Sequence, residues 1–126
     1  MCRVDGARRR LITVLRDATD FLDRPDNNFL WSWWEDSEQA TGELNRIISA
    51  LESGQTPPRV DVDVLFAPTG PIQEVSVSSG WGDEFLGLGA RFDAASARFY
   101  GPSVALHIVR KMLHSGAELV HRLCHR

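Results

Sequence analysis

Between Val60 and Phe85 the chain reads VDVDVLFAPTGPIQEVSVSSGWGDEF, and no other stretch limits the fold as tightly. Val60, Val62 and Val64 alternate with Asp61, Asp63 and Leu65, the period of two expected of a half-buried strand. Pro68-Thr69-Gly70-Pro71 has the composition of a chain reversal. Ile72 to Ser79 then returns as a second strand, with Val75 and Val77 on one face. Gly80-Trp81-Gly82 breaks the hairpin and opens a helix.

On either side of this stretch the apolar spacing changes to that of helices. Leu11, Val14, Leu15, Ala18 and Leu22 form one stripe and predict a helix over 7–23. Pro25-Asp26-Asn27-Asn28 ends it and caps a second helix over 29–53, in which Leu30, Trp34, Leu44, Ile48 and Leu51 fall near one face. The acidic middle of that helix leaves room for a break near Ser37. Pro57-Pro58 makes 55–59 an extended connector. Phe85, Leu86, Leu88, Phe92 and Ala95 predict a third helix over 83–98, weakened by Gly87 and Gly89. Ser103 caps a last one over 104–123. The expected architecture is therefore α+β: about four helices with a short antiparallel β-hairpin, in a single domain spanning residues 1–126.

Composition narrows the function classes. With 43% hydrophobic and 25% charged residues the chain is of the soluble globular kind, and no apolar run approaches a membrane span. The N-terminal MCRVDGARRRL lacks the apolar core of a secretion signal, so a cytoplasmic location is expected; Cys2 and Cys124, at the two ends, fit free thiols in that compartment, with a disulfide between them as the alternative. The net charge of −3 divides unevenly: residues 1–90 are acidic in balance and residues 91–126 basic. An acidic body repels phosphate, which makes nucleic acid an unlikely partner.

Three groups of residues carry candidate chemistry. All 4 histidines lie near the C-terminus, and His107, His114 and His121 are spaced by heptads. Seven residues advance a helix about 10 Å, too far for two imidazoles of one helix to share a metal. His121 and His125 alone have ligand spacing, with no carboxylate identified to complete a site. No metal or cofactor is expected. The second group is FLWSWWED. Trp31, Trp33 and Trp34 cannot all point inward from one helix, so at least one indole is exposed beside Glu35, Asp36 and Glu38. An exposed indole among carboxylates is a protein-binding patch, since aromatics dominate interface hot spots. The alternative is that Trp34 and one other fill the core while the third lies on a loop. The third group is Gly70, Glu74, Trp81, Asp83 and Glu84. Asp83 and Glu84 are favoured at a helix start on dipole grounds alone. They could also line a ligand pocket, with Trp81 stacking on the ligand and Gly70 allowing close approach. No nucleophile–base pair, phosphate loop, dinucleotide fingerprint or paired CxxC is present in the sequence, so a non-enzymatic role is expected.

The run Phe66-Ala67-Pro68-Thr69-Gly70-Pro71-Ile72-Gln73-Glu74-Val75, with the helical segments around it, gives residues 7–98 a resemblance to a class of small bacterial immunity-protein-like domains. These place an N-terminal helical pair before a Phe-Gly-Gly-Met-Gly-Ser-like turn, a polar pair and a closing helix. Ala67 and Pro68 stand where that class has glycines, and Gln73-Glu74 where it has the polar pair. The resemblance implies a non-enzymatic inhibitor that neutralises a cognate toxin. A small enzyme or ligand-binding domain with its pocket near Gly70 and Trp81 is the alternative. The apolar residues of 104–123 cover more than one stripe, so that helix is expected either at the centre of the fold or in a homodimer seam bordered by the histidines.

Overall fold

The computed structural model describes residues 2–102, with side chains from residue 6 onward. The expected C-terminal helix, its histidines, Cys124 and the homodimer seam lie outside the described residues. Those residues form five helices: α1 (Cys2–Leu22), α2 (Ser37–Glu52), α3 (Arg59–Phe66), α4 (Pro71–Ser79) and α5 (Gly82–Tyr100). Among the described residues there is no strand, and the expected α+β class is corrected to all-α.

The stripe of α1 is buried along its length: Leu11, Val14, Leu15, Ala18 and Leu22 are at most 1% exposed. It is covered by α2 on one side and α5 on the other. From α2 come Ala40, Leu44, Ile48 and Leu51, and from α5 Phe85, Leu88, Phe92 and Ala95. α5 runs back along α1. Trp81, at its start, stacks on Phe21 with centroids 4.9 Å apart. Arg91, in its middle, pairs with Asp17. Phe99, near its end, lies 5.0 Å from the Arg8 guanidinium. The same guanidinium donates to the carbonyls of Leu51 (2.9 Å) and Gln55 (2.7 Å). It thereby ties α1 to the last turn of α2 and to the segment that follows it.

The expected hairpin is a pair of short helices because a second apolar period runs through the same residues. Val62, Leu65 and Phe66 are buried, at spacings of three and four, while Val60 is 70% exposed. A strand would have buried Val60 and Val64 and turned Leu65 outward. Phe66 decides the outcome, since its ring stacks on Phe92 of α5 at 4.0 Å, nearly parallel. The same holds for α4, where Ile72, Val75 and Ser76 are buried and Val77 is exposed. Arg59 and Asp63 add an ion pair one turn apart at 3.0 Å. The reversal at 67–70 is a turn as expected, but it joins two helices. Thr69 takes a positive φ of 61°, and its N–H donates to the Gln73 side chain in the first turn of α4. Pro71 occupies the first turn of α4, where its missing N–H costs nothing. Gly80 closes that helix in the left-handed conformation, and the Trp81 N–H reaches back to the Ser76 carbonyl at 2.9 Å.

The helix expected over 29–53 is also shortened. It begins only at Ser37, after Asp36 accepts the Gln39 N–H at 2.9 Å as its N-cap. Residues 23–36 form a long connection, and Leu30, expected in the core, is exposed.

Two consequences can be measured. A Cβ on Gly70 would sit 2.7 Å from the Val64 carbonyl oxygen and 2.8 Å from that of Ala67, both backbone atoms, whereas a Cβ on Gly42 meets nothing within 4 Å. Gly70→Ala is expected to destabilise by about 1–3 kcal/mol through overpacking. Gly42→Ala, inside α2, is expected to stabilise by up to about 1 kcal/mol. Denaturant unfolding separates the two signs, and equal effects would contradict the tight turn. The Tyr100 hydroxyl donates to the Pro57 carbonyl at 2.7 Å. Burial, aided by nearby Asp63, raises its pKa above the ordinary 10.0 against the opposing pull of Arg59 and Arg8. Ionisation is therefore harder in the folded state, so this contribution is whole below pH 10 and is lost as pH rises through the folded value. In Tyr100→Phe the alkaline fall in stability is expected to be smaller, as read by thermal unfolding between pH 8 and 11.

Candidate functional site

The 23–36 connection is fixed in place by its own polar side chains, although it has no helix or strand. Asn27 donates from Nδ2 to the Phe21 carbonyl at 2.7 Å and accepts the Trp81 indole N–H on Oδ1 at 2.8 Å. The Asn28 N–H donates to Ser79 Oγ at 2.8 Å, and Asn28 Oδ1 accepts the Leu30 N–H at 2.9 Å. The Ser32 hydroxyl donates to the Phe29 carbonyl at 2.9 Å and lies 3.2 Å from the Trp34 N–H. Trp34 is buried, and its indole N–H donates to the Glu43 carboxylate of α2. Two bonds close the segment: Asp36 Oδ1 accepts the Gln39 N–H, and Gln39 Oε1 accepts the Glu35 N–H, each at 2.9 Å. Both ends and the middle are thus tied to the helical body.

What this scaffold displays is apolar. Leu30 is 75% exposed, Trp31 69% and Trp33 54%. Trp33 meets the edge of Trp34, centroids 6.1 Å apart at 81°, so its indole is braced on one side and open on the other. Leu30 and Trp33 line an open groove of about 860 Å³ together with Asp23, Glu35 and Asp36. Among the described residues Arg24 is the one cation on this lining, and its guanidinium lies over the Phe21 ring at 4.1 Å. Glu38 lies exposed in the first turn of α2. Of the carboxylates named from the sequence, Glu35 and Asp36 therefore share the groove with Trp33, in a loop and helix start instead of along one helix. Trp34 lies in the core, so of the three neighbouring indoles two are exposed and one is buried.

The second group of candidates does not converge on a cavity. Trp81 is 3% exposed, with one face against Phe21 and its N–H committed to Asn27. It has no free face for a ligand. Asp83 and Glu84 are solvent-exposed in the first turn of α5, where the helix dipole accounts for them. Gly70 and Glu74 belong to the start of α4, with Glu74 in its first turn. Among the described residues no group of three or more His, Cys, Asp or Glu side chains is placed to hold a metal ion, and no helix is long and apolar enough to cross a membrane.

Ser32, Glu43 and Ser79 carry no local sequence signal for these bonds, and Asn27 and Asn28, expected as helix caps, anchor the loop to Phe21, Trp81 and Ser79 instead. Asp36-x-x-Gln39 is the signal that would have found the loop, since a cap there starts the helix at Ser37 and strands the tryptophans outside it.

The burial pattern predicts a divided fluorescence signal. Acrylamide is expected to quench Trp31 and Trp33 and to spare Trp34 and Trp81. Trp31→Phe with Trp33→Phe is expected to remove the quenchable component while leaving the melting temperature within a few degrees, because neither ring is in the core. A quenchable component that survives the double substitution would contradict the placement of the buried pair. No protein-family model matches the chain, and neither a curated protein nor a solved structure matches it significantly.

Proposed function

We propose that the chain is a non-enzymatic bacterial protein-binding module, acting in the cytoplasm, that inhibits a basic protein partner in the manner of an immunity protein against its toxin. The observation that carries the reading is the pair of exposed indoles, Trp31 and Trp33, held out from a loop that is pinned at both ends. Large apolar rings in solvent are unfavourable for the free protein. Rigid aromatic groups are also the commonest source of binding energy at protein interfaces, because little side-chain freedom is lost when they dock. Asp23, Glu35 and Asp36 share the groove with Trp33, Glu38 is exposed in the adjoining first turn of α2, and these carboxylates favour a partner of opposite charge. Such a rim accelerates encounter and discriminates against acidic partners, while the indoles supply the affinity.

The test is a mixing experiment with a basic, toxin-like protein encoded beside this chain. A complex is expected to co-elute in size-exclusion chromatography. Trp31→Ala or Trp33→Ala is expected to raise its dissociation constant by about 30-fold or more, the size of an interface hot spot. Glu35→Gln with Glu38→Gln is expected to act mainly on the association rate and to flatten its salt dependence. A genomic neighbourhood without any toxin, secretion or defence gene would count against the reading. A complex indifferent to both tryptophans would place the interface elsewhere.

A further inference from the structure

The arginines of this acidic chain fall into two classes. Arg8 binds two carbonyls, Arg16 pairs with Glu52, Arg59 with Asp63 and Arg91 with Asp17, and Arg24 lies over Phe21. Each is explained by the fold. Arg9, Arg10, Arg46 and Arg98 have no hydrogen-bond, ion-pair or ring partner for their guanidinium groups among the described residues. Arg46 stands alone on α2, whereas the other three line one groove between α1 and α5. Arg91 stands at the same groove, its charge shared with Asp17. The groove has a volume of about 370 Å³, and Val14 and Ala95, both almost wholly buried, contribute to its lining.

Gathering unpaired like charges around one depression is electrostatically unfavourable in the free protein, the more so where apolar walls lower the local dielectric. An acidic chain has carboxylates to neutralise such a cluster, as Asp17 does for Arg91, yet among the described residues none is paired with these three. A bound anion removes the repulsion. Guanidinium groups suit it, since each offers forked donors that match phosphate or carboxylate oxygens. The volume is that of a small-molecule site, too small for a folded partner. Ala94, exposed on the same lining, offers apolar contact beside the guanidinium groups.

We infer that the groove between α1 and α5 binds a small anion, a phosphate or carboxylate attached to a short apolar group, with Arg9, Arg10 and Arg98 holding the charged head. This site is independent of the tryptophan face and goes beyond the protein-binding reading. Hexyl phosphate, hexanoate and inorganic phosphate serve as probes, titrated into the full chain at low ionic strength by calorimetry and followed by NMR. At least one of the two amphiphiles is expected to saturate, to shift amides of α1 and α5, and to bind about tenfold more tightly than inorganic phosphate, as its buried methylenes require. Arg9→Gln with Arg98→Gln is expected to weaken that binding by about tenfold or more, the loss of charge-assisted hydrogen bonds. Arg46→Gln serves as the control, because it removes one exposed, unpaired charge from α2 without touching the groove. Circular dichroism verifies that each variant is folded. The inference is overturned if no probe saturates, if inorganic phosphate binds as tightly as both amphiphiles, or if Arg46→Gln weakens binding as much as the groove variant.

Discussion

Burial of the apolar stripe of α1 is the interaction on which the other elements depend. Leu11, Val14, Leu15, Ala18 and Leu22 face two helices that are distant in sequence, α2 on one side and α5 on the other. Each large aliphatic side chain buried there contributes about 1.5–3 kcal/mol before conformational entropy is counted. α3 and α4 are too short to persist as isolated helices. They hold their shape because Phe66, Ile72 and Val75 join a core that α1 and α5 have already closed. Arg8 connects the two halves of this arrangement, with its guanidinium near Phe99 of α5 and bonded to the carbonyls at the end of α2.

The parts of the fold legible in the sequence are those with a long, unambiguous period. The stripe expected over 7–23 falls on α1 (Cys2–Leu22) and the one expected over 83–98 on α5 (Gly82–Tyr100). The short segments were misread for a definite reason. Over eight residues, VDVDVLF and its flanks satisfy a period of two through the valines and a helical period through Val62, Leu65 and Phe66. β-branched residues favour the first reading, and only the position of Phe92 in three dimensions selects the second. Likewise, Leu30 and Trp34 fit a helical face that does not exist, because Asp36 caps α2 seven residues after the expected start.

The candidate site was legible in its residues but not in its architecture. A run of three tryptophans near carboxylates is conspicuous in any sequence. What makes it a presented surface is a set of asparagine and serine side chains whose partners lie far along the chain, a relation that no local pattern encodes. The same limit applies to the arginines. In sequence Arg8, Arg9 and Arg10 form a uniform basic run, yet the helix turns Arg8 toward α2 and α5 as a structural bond and leaves Arg9 and Arg10 on the groove. Neighbouring residues of one type thus acquire different work from the 100° that separates them.

The distance between the tryptophan loop and its anchors also sets an order of events during translation. Asn28 waits for Ser79, and Asn27 for Trp81, 51 and 54 positions later in the chain. At ribosomal rates of about 5–20 residues per second, that interval lasts on the order of several seconds. During it, Trp31 and Trp33 have left the synthesis site without the framework that holds their backbone. A nascent chain short of Trp81 therefore carries two sticky indoles on a slack tether, the state most open to capture by chaperones and to misassociation on crowded polysomes. The loop acquires its fixed geometry only when the α4–α5 junction emerges.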